Sequence, residues 1–175
     1  MSVSSEFVKS LWANLYAKSG SIYCLKRAFG NSLKNSDITT YMSFLDVSGN
    51  NFYDAQKEVY FLAATMFYNF ERPNQVEKDN RTFVTFEKLI SRIYGKSKST
   101  DRMIQNFVDS DFDSNGIFVN RLVRLSGRCK KELSANEHLD FTALINDLVH
   151  WNDPDKSIKF KWAKQIVSKY TKDCK

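Results

Sequence analysis

Apolar residues recur at helical spacing along almost the whole chain. Phe7, Leu11 and Leu15 fall at i, i+4 and i+8, which sets them on one face of a first helix. Ser4 or Ser5 is placed to cap it and Gly20 to end it. A short basic helix follows over residues 22–29, ahead of Gly30. Asp37 is a cap for a third helix that runs to about Leu45. Asp54 starts a fourth, with Val59, Leu62, Met66 and Phe70 turned inward. The polar run 71–81, which holds Pro73, predicts an exposed loop. Phe83, Phe86, Leu89, Ile90 and Ile93 then mark a helix that ends at Gly95.

Beyond the small, polar, basic stretch GKSKST (95–100), the pattern predicts helices near 100–109, 116–132, 140–151 and 154–171. Asp153 fits the cap of the last helix and Pro154 its first position, where the missing N–H costs nothing. No convincing alternating strand pattern and no Asn-Gly hairpin occurs. The predicted fold class is therefore all-α, roughly eight to nine helices in two small bundles. Residues 1–97 form the N-terminal lobe and residues 98–175 the C-terminal bundle.

Composition narrows the setting. Hydrophobic residues make up 42% of the chain, with 14 Phe and 8 Tyr, so it has the means to bury a core. The longest apolar run, Val59 to Tyr68, is about half of a bilayer span and reads as a buried helix. Three widely spaced cysteines, Cys24, Cys129 and Cys174, include no CxxC, which favours reduced thiols. The opening MSVSSEFVKSLW lacks a basic-then-apolar signal pattern. A soluble cytoplasmic protein without a membrane partner is expected. The net charge of +6 favours an acidic partner, nucleic acid or an anionic surface.

The stretch VDSDFDSNGIFVNRL (108–122) resembles the first half of a calcium loop, with Asp111, Asp113, Asn115 and Gly116 at positions 1, 3, 5 and 6. Position 12, which requires a bidentate Glu, is Leu122, and position 9 is Val119. No partner loop exists elsewhere. The turn is better read as a helix start, in which Asp111, Asp113 and Ser114 satisfy free N–H groups. No metal and no cofactor is expected.

Signs of catalysis are equally thin. The two histidines, His138 and His150, stand in no metal-ligand spacing, and no phosphate-binding glycine loop or nucleophile elbow occurs. Asp109, Asp111 and Asp113 come from one segment, whereas two-metal sites usually gather acids from several. Cys129 lies on an apolar stripe, and His150 ends a helix beside Trp151. The chain is not expected to be an enzyme.

Its chemistry lies in segregated charge. On the helix after Gly116, Phe118, Leu122, Leu125 and Cys129 make a narrow apolar stripe. Arg121, Arg124 and Arg128 form a second stripe about 100° away, extended by Lys131. Arginines on one face with few acids suit successive phosphates. Further clusters are Lys26-Arg27 with Lys34, Lys96-Lys98-Arg102, and the lysines of the last helix: Lys156, Lys159, Lys161, Lys164, Lys169 and Lys172.

The residues from 139 to 170 carry a resemblance. Asp140-Phe141, Leu144, Asp147-Leu148, Trp151 and Trp162 resemble the C-terminal signature of the CasB family, the small subunit of the type I-E CRISPR surveillance complex Cascade. NRLVRLSGRCK (120–130) is similar to that family's basic helix, and STDRMIQNF (99–107) to its Ser/Thr-x-x-Arg segment. GSIYCLKRAFG (20–30) and YFLAATMFYNFERP (60–73) extend the likeness toward the N-terminus. Phe141 stands where Trp is common and Lys26 where Arg is, and lysine lacks the bidentate fork.

The resemblance implies a non-catalytic helical subunit that pairs with a second copy beside the guide RNA. Its other partners would be the remaining Cascade subunits and target DNA. It would steady the RNA–DNA hybrid and the displaced strand. Lys26, Arg27, Arg102, Arg121, Arg124 and Arg128 are the candidate contacts. Lys130 and Lys131 join them on faces that depend on where the helix ends. The alternative from another class is a helical adaptor whose basic face binds an acidic protein.

Overall fold

Serine 2 opens the first helix, and its hydroxyl accepts from the Ser5 N–H at 3.3 Å. The computed structural model of the protein describes residues 2–49, 56–71, 81–113 and 116–168. Among these, helix α1 spans Val3–Ala17 and buries Phe7, Leu11 and Leu15. Neither Ser4 nor Ser5 is the cap. Ser4 is buried, and its hydroxyl donates to Asn146 Oδ1 at 2.7 Å. Lys18, in the left-handed region at φ 52°, ends the helix ahead of Gly20.

Helix α2 (Ser21–Arg27) leads through a turn at Gly30, φ 100°, to α3 (Ile38–Ser48). Asp37 caps α3 as expected, accepting from Thr40 N–H at 2.7 Å. Helix α4 (Lys57–Phe70) is buried at every position from Val59 to Tyr68. A helix apolar all round belongs at the centre of a fold, and α4 packs against α1, α2 and α8. Asp54 and nearly all of the predicted 71–81 loop, Pro73 included, lie outside the described residues.

The structure corrects the absence of strands. Strand β1 (Thr82–Val84) pairs in parallel with β2 (Glu137–Leu139), Phe83 opposite His138. Three residues are too few for an alternation to register, and a parallel partner distant in sequence leaves no local turn signal. Phe83 is consequently half-exposed on a strand, and helix α5 (Phe86–Ile93) begins after it.

Ser97, within the predicted linker, caps α6 (Lys98–Asp109) by accepting from Thr100 N–H at 3.2 Å. Helix α7 (Ile117–Cys129) runs into a 3-10 turn over Lys130–Glu132, and α8 (Phe141–Val149) is capped by Asp140. The last helix, α9 (Ser157–Ser168), starts later than predicted. Pro154 sits in a turn closed by Lys156 N–H on Asp153 C=O at 3.0 Å, and Asp155 Oδ1 accepts from Ser157 N–H. Proline thus shapes the approach to α9 instead of its first turn.

Helices before and after the Gly95–Lys96 turn contribute to one hydrophobic cluster, with α5 packed on α7 and α9. The residues of the C-terminal signature are its girders. Trp151 and Trp162 are fully buried with ring centroids 4.9 Å apart at 81°. Trp151 Nε1 donates to Ser110 C=O at 2.8 Å. Asp147 receives Trp162 Nε1 at 2.6 Å and Lys161 Nζ at 2.6 and 2.7 Å.

Candidate nucleic-acid interface

The basic helix is held by its apolar stripe. Phe118, Leu122, Leu125 and Cys129 are all fully buried. Burial pushes the Cys129 thiol up to about 12, with Glu132 adding to the shift, so this cysteine stays protonated and inert. Fixing that stripe turns Arg124 outward and lays Arg121 and Arg128 beside α6. Arg121 donates to Asn106 C=O at 2.6 Å, and Arg128 donates to the Thr100 hydroxyl. Both acceptors are neutral, so the two guanidinium charges are oriented without being cancelled.

Helix α7 gathers the other candidates. A Cβ built on Gly30 would lie 3.5 Å from Val123, so the turn after Lys26-Arg27 rests on α7. Lys130 Nζ donates to Asn69 C=O at the end of α4, while Asn69 Nδ2 donates to Lys26 C=O at 3.0 Å. Lys26, Arg27, Arg102, Arg124, Arg128 and Lys131 are exposed, and Arg121 and Lys130 are half-buried. Lys130 is turned toward the protein, its ammonium 6.0 Å from the Phe70 ring centroid. No motif or spacing in the sequence singles out Asn69. The signal for it was a lone amide in the last turn of an otherwise apolar helix.

Ion pairing sorts the basic clusters. Lys96 pairs with Glu132 at 2.6 Å, Lys161 with Asp147, and Lys159 with Asp111 at 2.6 Å. Lys159 is itself buried, so the lysines of α9 that looked like a contact face partly tie that helix down. By contrast, among the described residues Lys26, Arg27, Arg102, Arg121, Arg124, Arg128 and Lys131 make no ion pair within 4.0 Å. Asp37 is the acid that feels Arg27. Its carboxyl is held below the usual range chiefly by the Thr40 N–H, with a smaller part from Arg27. Lys169 and Lys172 lie outside the described residues.

The acidic turn before α7 is spoken for. Asp113 Oδ1 accepts from Phe118 N–H at 3.3 Å, the helix-start role expected of it. Asp111 does not cap. It pairs with Lys159, which holds its carboxyl below the ordinary value. Asn152 brackets Phe112 between them, accepting from its N–H at 2.7 Å and donating to its C=O at 2.9 Å. Ser114 and Asn115 lie outside the described residues, and Gly116 takes φ 103°. No cluster of three metal-ligating side chains occurs among the described residues, and no helix there is long and apolar enough to cross a membrane.

Fold and site together define a mostly helical protein that carries Lys and Arg residues without an ion pair among the described residues on α2, α6 and α7. The chain belongs to the CRISPR-associated protein Cse2 family, whose model matches residues 24–165. A Cse2-family protein from Thermus thermophilus superposes with a TM-score of 0.73 at 15% identity, over 96% of this chain and 99% of that one. CasB from M. ruber gives 0.71 at 16%, over 99% and 97%. A chain of a CRISPR RNA-guided surveillance complex gives 0.68 at 14%, over 99% and 98%. No curated protein sequence matches the chain.

Proposed function

We propose that this chain is the non-catalytic small subunit of the RNA-guided surveillance complex Cascade, acting in the cytoplasm in defence against foreign DNA. Its partners on this reading are the other Cascade subunits, the guide RNA, the target DNA and a second copy of itself. The observation that carries the proposal is the segregation of charge. Seven Lys and Arg residues on α2, α6, α7 and the turn after it form no ion pair among the described residues, while the clusters of the predicted linker and α9 are partly neutralised from within.

An R-loop exchanges a DNA duplex for an RNA–DNA hybrid of nearly equal stability. Backbone contacts therefore tip it without reading sequence, which base pairing already does. Arg121 and Arg128 are suited to this because their forks are held in place before any phosphate arrives. The test is binding of the purified chain to a short single-stranded DNA across a salt series. If seven cations each meet a phosphate, the log–log slope is about −5. Absence of salt-dependent binding, with retention of an acidic protein partner instead, contradicts the proposal in favour of the adaptor.

A further inference from the structure

Helix α9 has two apolar rows, and only one of them meets the core. Lys159, Trp162 and Ile166, at i, i+3 and i+7, are buried. One residue further along, the same spacing recurs on the outside. Phe160, Ala163 and Val167 form an exposed stripe about 10 Å long, with Phe160 66% exposed and Val167 42%. Charge of one sign borders it. The twelve residues of α9 include three lysines and no acid. Asp111 takes up Lys159 and Asp147 takes up Lys161. Lys164 is exposed one turn beyond Phe160, and its side chain makes no ion pair or hydrogen bond among the described residues. Lys156, exposed just ahead of the helix, is felt by Asp111, whose carboxylate already binds Lys159.

We propose that this outer face of α9 is a docking surface for an acidic amphipathic helix of another protein subunit, with Phe160 and Val167 as anchors and Lys164 paired to a carboxylate. The inference deepens the function proposed above and rests on it, naming the face by which a neighbouring Cascade subunit holds this one. Anchors at i, i+3 and i+7 are the register in which one helix packs along another. A neutral apolar segment would strip water from Lys164 and return no partner. Nucleic acid fits less well. A base stacks on a ring, but two of the three stripe residues are aliphatic, and α9 has no arginine fork for a phosphate. An acidic helix supplies both an apolar row and the missing carboxylate.

The test uses the complex assembled from the other Cascade subunits and guide RNA. A carbodiimide, which joins an amine only to a carboxylate in contact with it, is expected to link Lys164 to an Asp or Glu of a subunit other than a second copy of this chain. Phe160→Ala and Lys164→Glu, both at exposed positions, should each weaken retention in the complex by about 10-fold. Lys164→Arg should leave retention unchanged, and single-stranded DNA binding by the purified chain should be the same in all three variants. No link from Lys164 to another subunit, with full retention of Phe160→Ala and Lys164→Glu, overturns the inference and leaves the proposed function standing. A link to a second copy of this chain assigns the face to self-pairing and overturns it also. If Phe160→Ala and Lys164→Glu weaken strand binding with retention unchanged, the face is a nucleic-acid contact and the inference fails. Failure of the unsubstituted chain to enter the complex overturns both readings.

Discussion

At the scale of single residues, Asp147 shows how a family signature is a structural device. Its carboxylate is buried between α8 and α9 and accepts from an indole N–H and an ammonium at once. Removing it leaves the buried Trp162 N–H without an acceptor, which costs about 1–3 kcal/mol. Asp147→Ala should lose that much in chemical denaturation, and Asp147→Asn, which keeps an acceptor for Trp162, should lose less. Glu137 makes a different prediction. Two parallel bonds from Arg92 at 2.7 Å, helped by the Ser134 N–H at 3.0 Å, hold its carboxyl down at about 2 from 4.5. A carboxylate depressed in the folded state contributes stability above its unfolded value and loses it as pH falls toward its folded one. Melting temperature should therefore decline between pH 4.5 and about 2, and Arg92→Gln should flatten that decline. The sequence showed Asp147 and Trp162 as a pattern without showing why. Their contact joins two helices, and the Arg92–Glu137 pair joins residues that no local spacing relates.

Helices were legible because their faces repeat every three or four residues, and the stripe Phe118, Leu122, Leu125 and Cys129 is buried as its spacing required. Their ends were less so. Ser2 displaces Ser4 as a cap because Ser4 is claimed by Asn146 across the fold. Local sequence alone makes Pro154 a helix start, but Lys156 at φ 53° and the Asp155 bond to Ser157 delay α9. The β1–β2 pair was invisible for the same reason: its strands are short and its partner distant. At this scale Gly30 is the position to test. It sits at φ 100° against Val123, and so sets α2 and its Lys26-Arg27 pair on α7. A side chain there is strained by about 1–2 kcal/mol. Gly30→Ala should lower thermal stability by that amount, and it should also weaken DNA binding by loosening the join between the two basic clusters. Unchanged binding with lowered stability would show that the clusters act separately.

The whole molecule is a helical scaffold whose core spends some charges and leaves others outside. Net charge pointed to a polyanion without saying which residues would meet it. Lys159 and Arg124 look alike in sequence, yet one is buried against Asp111 and the other is exposed. Only the packing of α9 on α5 and α6 separates them. Asn69, which draws Lys26 and Lys130 together, was likewise set by how α4 ends against α2. The central claim is that exposed cations grip nucleic-acid backbone without reading it. Arg102, Arg124 and Lys131 are the cleanest probes, because none of them forms a side-chain hydrogen bond or ion pair among the described residues. The decisive measurement is R-loop formation by the assembled surveillance complex carrying Arg102→Ala, Arg124→Ala and Lys131→Ala together, across several targets and salt concentrations. We expect full incorporation of the subunit, weaker R-loop formation by a common factor on every target, and a salt slope shallower by about 2 to 3. An unchanged slope and yield in a fully assembled complex would contradict the claim.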